Sequence, residues 1–327
     1  LFKKTRLKSK DNILKIAKDS FVNQGNAILN LHKYLTIDFE NAINKINSLS
    51  GRVIVSGIGK SAIIGSKIVA TLNSTGTPSI FMHAAEAIHG DLGIIQNDDI
   101  IILLSKSGNT PEIKNLVPFI KQRNISIISI TSEPNSYLAK NSDYLLNSRI
   151  EEEACLNNLA PTTSTTAQLV IGDAIAICLS KINGFNENDF AKHHPGGILG
   201  KKLYLKVDEI INKNLKPQLF ESDDFKTIID VISKNLLGAA VVVKDNKPIG
   251  IITDGDIRRV FSNESNFNNI LAKDLMSKNP FIIDSKTLAS EALSIMNKNK
   301  ITQIVVTKNG DYFGLIHLHN ILNEGLS

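Results

Sequence analysis

Lysine, glycine and serine side chains that could hold an anion stand together in one short segment. Lys60 follows Gly57 and Gly59 and precedes Ser61. Glycines at the end of a strand let backbone N–H groups approach an anion, and a helix N-terminus adds a positive dipole end. The spacing is not that of a nucleotide P-loop and lacks the third glycine of the dinucleotide fingerprint. The segment therefore predicts either a phosphate cradle with a cation beside it or a tight strand-to-helix turn with a solvated lysine.

Hydroxyl groups precede a predicted helix in a second segment, which runs Ser105-Lys106-Ser107-Gly108-Asn109-Thr110-Pro111-Glu112. Thr110 suits the N-cap, Pro111 suits the first helical position, and Glu112 falls in the first turn. Hydroxyls at a helix start suit phosphate ligation. The alternative is plain helix capping, in which Glu112 only complements the helix dipole.

Acidic residues and a hydroxyl run make up a third segment. Glu151-Glu152-Glu153 is followed by Thr162-Thr163-Ser164-Thr165-Thr166. A run of Ser and Thr residues is unfavourable in the interior of a helix, but it suits a buried helix start that faces a polar ligand. An acidic run is more often a solvated face.

Four histidines lie beside turn residues rather than on an apolar face: His83, His89, His193 and His194. A lone histidine is usually structural, and no His-x-x-x-His or comparable spacing indicates a metal site. The histidines therefore stand as candidate proton carriers only where other motifs support them.

Strands and helices alternate through the part of the chain that carries these segments. Buried strands are predicted at Arg52–Ser56, Ser79–Met82, Ile100–Leu104, Ser126–Thr131 and Tyr144–Leu146, and helices at Ser61–Ser74, Pro111–Arg123 and Thr163–Ile182. The alternation predicts an α/β fold, a doubly wound parallel sheet whose ligands bind at the carboxyl ends of the strands. We place this domain at residues 36–204, after a helical segment at residues 1–35 that packs on it.

A β-α-β-β-α unit occurs twice in the remainder, at residues 205–267 and 268–327. The first copy has a predicted helix at Phe225–Leu236 and strands at Ala239–Val243 and Pro248–Thr253; the second has a helix at Leu288–Asn299 and strands at Gln303–Thr307 and Phe313–Ile316. Two such copies can bury each other's open sheet faces, which predicts a paired module with its own core.

Composition argues against several classes of protein. The 327 residues carry a formal charge of +5, but the basic residues are scattered among acids and aromatics are few, so nucleic acid is not the expected partner. No apolar stretch approaches the roughly 18 residues of a membrane span and no signal peptide is evident, which predicts a cytoplasmic protein. Cys155 and Cys178 are far apart, so neither a disulfide framework nor a cysteine-based zinc site is predicted. The modest positive charge is consistent with a small anionic ligand.

The motifs together resemble those of a known family. Matching segments occur in order at Gly57–Ser61, Ser74–Pro78, His83–Gly93, Ser105–Gly108, Leu159–Ser164 and His194–Gly197. They resemble the sugar isomerase (SIS) domain of arabinose 5-phosphate isomerases, and the tail resembles paired CBS motifs. The resemblance implies reversible isomerisation of D-arabinose 5-phosphate and D-ribulose 5-phosphate, the entry into Kdo synthesis for lipopolysaccharide. It also implies a homotetramer that requires no cofactor.

The same resemblance assigns roles to individual residues. The implied catalytic positions are Lys60, His89, Glu112, Glu153 and His194. The implied substrate-binding positions are Gly57, Gly59, Ser61, Gly76, Thr77, His89, Ser105, Ser107, Gly108, Asn109 and Thr110. We expect Glu112 to be the leading base, with Glu153 and His194 as competitors whose order the sequence does not decide.

Two further sites follow from the resemblance. His83 matches a position linked to zinc, which is expected to inhibit rather than to catalyse. Thr253 and Asp256 fit the Thr-x-x-Asp signature by which CBS units hold ribose, whereas the second copy has His317 and Asn320 there. At most one standard site for a nucleotide-like effector is therefore expected.

Departures from the family pattern leave alternatives open. Lys106 and Asn109 stand at variable places, and the segment Cys155-Leu156-Asn157-Asn158 lacks the proline and glycine common in relatives. One alternative is a SIS-type sensor that binds a sugar phosphate without turnover, although the N-terminal region is too short and too weakly basic for a DNA-binding domain. Another is an isomerase of a different sugar phosphate, because motifs do not report hydroxyl stereochemistry.

Overall fold

A computed structural model describes residues 10–263 and 269–327, and the chain divides into two units between His193 and His194. The helices of the first unit are α1 (Lys10–Asn30), α2 (Ile37–Asn47), α3 (Lys60–Ser74), α4 (Ala84–Ala87), α5 (Pro111–Gln122), α6 (Tyr137–Asn141), α7 (Thr163–Ile182) and α8 (Glu187–His193). Its strands are β1 (Val53–Gly57), β2 (Ser79–His83), β3 (Ile100–Leu104), β4 (Ile127–Thr131) and β5 (Tyr144–Asn147). Short 3₁₀ helices lie at Leu31–Tyr34, Asp91–Ile94 and Leu156–Asn158.

The strands of the first unit form one parallel sheet of five strands in the order β2-β1-β3-β4-β5. Gly57 pairs with both His83 and Leu104, so these strands end at the same level. We call this the carboxyl edge. The strand order reverses at β1, and in such sheets the crevice beside the reversal binds ligands. The predicted α/β fold is confirmed.

Both faces of the sheet are covered by helices, which is why the strands are unbroken apolar runs. Val55 of β1 lies in a core cluster with Ile68 of α3 and Ile175 of α7. Ile54, its neighbour in sequence, points to the other face and lies in a cluster with Ile113 of α5. The sheet is thereby held rigidly between two helical layers.

Helices α3 and α7 pack closely side by side. A Cβ atom placed on Gly172 would lie 2.3 Å from Ile68, so the two backbones approach through a position where only glycine fits. Lys67 donates to Asp173 Oδ2 at 2.7 Å across the same contact. Both helices run away from the carboxyl edge, and these contacts come roughly two to three turns after each begins. Their N-termini therefore lie together at that edge.

Helix α7 corrects the expectation about apolar stretches. Within the described residues it is long and apolar enough, by length and composition alone, to cross a membrane. In the structure it packs on α3 and the sheet, with Ala167, Ile175 and Leu179 buried there, as the core helix of a globular domain does.

The second unit contains the predicted duplication. Its helices are α9 (Ile198–Tyr204), α10 (Val207–Ile210), α11 (Phe225–Asn235), α12 (Asp254–Asn263), α13 (Ala272–Leu275), α14 (Ala289–Asn299) and α15 (Leu318–Leu322). Its strands are β6 (Gln218–Leu219), β7 (Ala239–Lys244), β8 (Lys247–Thr253), β9 (Ser277–Lys278), β10 (Ile282–Asp284), β11 (Gln303–Lys308) and β12 (Asp311–His317). Each copy contains an antiparallel hairpin, β7–β8 or β11–β12. The pairing register shifts after Val242 in the first hairpin and after Val306, the corresponding residue, in the second.

The two copies share a core, as predicted. Leu237 and Val241 of the first copy cluster with Val305 and Tyr312 of the second. The hydroxyl of Tyr312 donates to Pro217 O at 3.0 Å, which satisfies its polar end inside this core.

The unit boundary lies before residue 204, the predicted end of the first domain. Helix α9 belongs to the second unit because Lys201 pairs with Glu324 at 2.7 Å and Ser290 donates to Lys202 O at 2.8 Å. Residues 1–9 of the predicted N-terminal segment and 264–268 of the two repeat copies lie outside the described residues.

Candidate functional site

The glycine-lysine segment lies at the carboxyl edge, where β1 passes into α3. Gly57 is the last residue of β1 and Lys60 the first of α3. Gly59 caps the helix at φ 59°, a left-handed conformation that favours glycine, and a Cβ atom there would meet nothing within 4 Å. Lys60 is exposed and has no side-chain partner in the described part of the chain. The segment thus presents an open helix start with an uncommitted cation.

The loop of residues 105–110, which we call the hydroxyl loop, follows β3 at the same edge. Ser105 is buried, and its Oγ atom lies 2.8 Å from Thr110 Oγ1 and accepts from Gly108 N at 3.1 Å. Gly108 has φ 59°, and an added Cβ atom would lie 2.0 Å from Ser136 Oγ, so no other residue fits. Asn109 donates its N–H to Ser107 Oγ at 3.2 Å.

Helix capping does not account for the hydroxyl groups of this loop. Thr110 occupies the N-cap of α5, as predicted, but its side chain makes no capping hydrogen bond. Pro111 and Glu112 hold the first-turn positions expected for them. The hydroxyls therefore bond to one another and to N–H groups of the loop rather than cap α5.

Glu112 and Glu153, the two predicted catalytic glutamates, have different surroundings. Glu112 is partly buried and has no hydrogen-bond or ion-pair partner among the described residues. Glu153 is buried, and its Oε2 atom accepts from Thr162 N at 2.8 Å, Thr162 Oγ1 at 3.2 Å and Ser164 N at 3.1 Å. Its Oε1 atom accepts from Ser164 Oγ and lies 2.8 Å from Lys106 Nζ.

These contacts decide the protonation of Glu153. Burial raises the pKa of its carboxyl, but the hydrogen bonds from Lys106, Ser164 and Thr162 outweigh burial and bring the pKa down to about 2. A carboxylate with that pKa stays ionised near neutral pH and is a weak base. Of the two glutamates, Glu112 is therefore the better candidate for the base, since no fixed donor holds its carboxylate among the described residues.

The three histidines predicted for the site occupy different places. His83 ends β2, and its Nδ1 atom is buried without a partner in the parts of the chain that the structure describes. His89 is exposed in the loop after α4. His194 is the first residue of the second unit, so its catalytic role stays a prediction.

Metal ligands are not gathered at His83. Across residues 10–263 and 269–327, no group of three or more His, Cys, Asp or Glu side chains could hold a metal ion. The zinc role of His83 therefore remains a prediction.

Gly76 and Thr77 lie away from the other predicted residues. They precede β2, and β2 begins at Ser79 beside Val53, the first residue of β1. Both residues are therefore at the amino ends of the strands, where Thr77 N donates to Leu72 O at 2.8 Å. Within one chain they therefore lie apart from the residues of the carboxyl edge. Their role in binding substrate would require a second copy of the chain and stays a prediction.

Three residues around Glu153 were missed by the sequence analysis: Lys106, Thr162 and Ser164. The hydroxyl run from Thr162 to Thr166 was a signal for a polar helix start, but nothing in it indicated that a glutamate was its partner. Lys106 appeared only as a departure from the family pattern.

The predicted effector residues meet at the end of β8. Asp256 is buried, and its Oδ2 atom accepts from Thr253 N at 2.8 Å and Thr253 Oγ1 at 2.7 Å. Its other oxygen accepts from Arg259, which the sequence analysis did not single out. The structure therefore forms the Thr-x-x-Asp pair and places a cation beside it.

The second copy holds a different pair at the corresponding position. Asn320 Oδ1 accepts from His317 N at 3.0 Å. Burial, together with the neighbouring His319, lowers the pKa of His317. This position lacks the carboxylate that would accept ribose hydroxyls.

Comparison with known proteins agrees with this architecture. A SIS domain profile matches residues 48–178, and CBS domain profiles match residues 207–263 and 272–327. Arabinose 5-phosphate isomerase KdsD of Francisella tularensis is 45% identical over 295 residues, which cover 90% of this chain and 89% of that protein. The protein of the same name from Pseudomonas aeruginosa is 42% identical over 292 residues, 88% of this chain and 90% of that one.

A solved structure matches the first part of the chain. An Escherichia coli CFT073 protein in complex with arabinose 5-phosphate aligns with a TM-score of 0.56 and 38% identity, over 57% of this chain and 100% of that one. The relatives match nearly the full length, and the domain order agrees with the fold. This chain, a SIS domain followed by a pair of CBS domains, therefore belongs to the arabinose 5-phosphate isomerase family.

Proposed function

We propose that this protein interconverts D-arabinose 5-phosphate and D-ribulose 5-phosphate and thereby supplies Kdo synthesis for lipopolysaccharide. The proposal rests on the Glu112 carboxylate, which has no partner among the described residues and lies in the first turn of a helix that begins directly after the hydroxyl loop. The curated relatives with this activity in their names align over about nine-tenths of the chain.

The chemistry assigns each group a task. Aldose-ketose isomerisation moves a proton between C1 and C2, which needs a base in contact with both carbons, and Glu112 takes that part. The oxygen that becomes negatively charged needs a cation or a hydrogen-bond donor, which Lys60 and His89 supply. The N-termini of α3 and α5 and the hydroxyl loop hold the phosphate, because free N–H groups and the helix dipole favour an anion.

The wider proposal concerns assembly and ligands. The enzyme is a cytoplasmic homotetramer that needs no cofactor and has no nucleic-acid or membrane partner. Phe21, which is 73% exposed on α1, supports assembly because a large apolar side chain of this kind is suited to burial against another subunit. Zinc would inhibit by binding at His83, whose Nδ1 atom has no hydrogen-bond partner among the described residues. A nucleotide-like effector binds at Thr253 and Asp256.

The substrate is tested by incubating the full chain with a panel of aldose and ketose phosphates and following each by NMR. The proposal predicts that the arabinose and ribulose 5-phosphates are converted fastest. Faster conversion of another pair would assign a different sugar phosphate. Saturable binding without conversion of any sugar would instead identify a sensor.

A further inference from the structure

The backbone of the hydroxyl loop is fixed to the neighbouring strand and helix. Lys106 O accepts from Ser132 N at 3.0 Å and from Thr131 Oγ1 at 3.1 Å, at the end of β4. Gly108 O accepts from Leu138 N of α6 at 3.0 Å. The base of the Lys106 side chain therefore has a defined position.

The Lys106 side chain crosses from this loop to the segment that follows β5. Its Nζ atom lies 2.8 Å from Glu153 Oε1, with the lysine side chain 42% exposed and the glutamate side chain fully buried. Glu153 in turn accepts hydrogen bonds from Thr162 and Ser164 at the start of α7. Lys106, through Glu153, therefore joins the hydroxyl loop to the N-terminus of α7.

We propose that Lys106 is a positioning residue, whose ion pair with Glu153 holds the hydroxyl loop at the correct distance from α7 for binding the substrate's phosphate. The inference rests on the proposed function and adds a residue that the family resemblance did not assign. Glu153 acts here as a fixed anion, since all its contacts are donors that favour its ionised form.

Removal of the lysine should affect substrate binding more than folding. Lys106 is partly exposed, and the buried Glu153 carboxylate keeps its hydrogen bonds from Thr162 and Ser164 when the ammonium is lost, so it is not left without donors. The loop, however, loses its side-chain link to α7. Because the phosphate is bound in the ground state and in the transition state alike, the loss should appear mainly in KM.

The test compares steady-state kinetics of full-length variants. Lys106→Met, which keeps the length of the stem, is expected to raise KM by roughly tenfold and to change kcat by less than about threefold. Lys106→Arg should restore KM to within about threefold of the original, because a guanidinium can reach the same carboxylate. The matched control is Lys286→Met, which removes an exposed lysine from its pair with the largely buried Asp208 in the second unit and should leave KM unchanged.

An unaltered KM in Lys106→Met, or an equal rise in Lys286→Met, would overturn the inference. If Lys106→Met does not fold, as judged by circular dichroism, Lys106→Gln must still raise KM, because its neutral and shorter side chain breaks the ion pair with Glu153. If the unmodified protein turns over no sugar phosphate, the proposed function fails. The positioning role is then tested by calorimetry with arabinose 5-phosphate. Lys106→Met is expected to raise the Kd for this sugar phosphate by the same factor of about ten.

Discussion

Glu112 and Glu153 have the same type of side chain, but their different surroundings suit them to different roles. Glu153 is enclosed by donors from Lys106, Thr162 and Ser164, and each of them stabilises the charged form. Glu112 meets no such donor among the described residues. A general base needs a carboxylate that is not already held by fixed donors, and of these two glutamates Glu112 meets that condition among the described residues.

Replacing Glu112 with glutamine removes the basicity and keeps the shape. We expect kcat to fall by roughly 10²–10⁴-fold, the usual contribution of a general base, with little change in the thermal unfolding midpoint. Steady-state assays and circular dichroism measure the two quantities. Glu187→Gln, at the matching first-turn position of α8, is the control and should keep full activity. Near-normal kcat in Glu112→Gln would show that the proton carrier is another residue.

The depressed pKa of Glu153 predicts how stability depends on pH. The ordinary value is 4.5 and the folded value about 2, so the folded state favours the ionised form. The stabilisation is fully present above about pH 4.5 and is lost as pH falls toward 2. Over that range it amounts to about 3 kcal/mol in the free energy of unfolding.

Urea unfolding at several pH values checks this dependence. Glu153→Gln should be less stable than the original protein at pH 6, and the difference should narrow steadily between about pH 4.5 and pH 3. A difference that stays constant over this interval would mean that the Glu153 carboxyl does not have a lowered pKa.

At the level of elements, α3 and α7 determine where two helix starts lie. Gly172 permits their close approach, because a Cβ atom there would lie 2.3 Å from the buried Ile68 side chain. The contact sets the spacing between Lys60, at the start of α3, and Ser164, near the start of α7.

Gly172→Ala should therefore destabilise the protein and weaken substrate binding together. Crowding in a packed core typically costs about 1–3 kcal/mol, which exceeds the roughly 1 kcal/mol that alanine gains over glycine in a helix. Gly25→Ala in α1 is the control, because a Cβ atom there meets nothing within 4 Å, and it should stabilise. Thermal unfolding and KM measure both effects; a Gly172→Ala protein as stable as the Gly25→Ala protein would refute the account.

Local patterns predicted the elements well but not the contacts between distant segments. Strands β1 to β5 lie within a residue or so of their predicted bounds, because consecutive β-branched residues between helices are typical of a buried parallel sheet. The pair between Lys106 and Glu153 was not predictable, since it depends on the paths of two loops after different strands. The location of Gly76 and Thr77 at the amino ends of the strands was predictable, because both residues precede β2. Their role in binding substrate was predicted from the family resemblance alone.

For the whole molecule, the shared core of the CBS pair implies a module that can bind a ligand as one body. Leu237 and Tyr312 come from different copies and pack in the same cluster. Only the first copy has the carboxylate, Asp256, that suits ribose hydroxyls, and Arg259 beside it suits a phosphate.

A nucleotide-like effector should therefore alter isomerase activity through Asp256. A coupling of about 1–3 kcal/mol would change the apparent substrate affinity by roughly fivefold or more. The measurement is the isomerase rate of the full chain across a panel of nucleotides and CMP-sugars. Asp256→Asn should abolish the response and leave the basal rate intact, while Asn320→Ala in the second copy should leave the response unchanged. If no ligand changes the rate, the module has a structural role only.

Glu112, and not the donor-enclosed Glu153, is expected to carry the proton between C1 and C2 of the sugar phosphate. The most direct measurement is exchange of the C1 and C2 protons of arabinose 5-phosphate with deuterated water, followed by NMR at saturating substrate. We expect rapid exchange with the original protein and with Glu153→Gln, and none above background with Glu112→Gln. Normal exchange with Glu112→Gln together with its loss in Glu153→Gln would contradict this expectation.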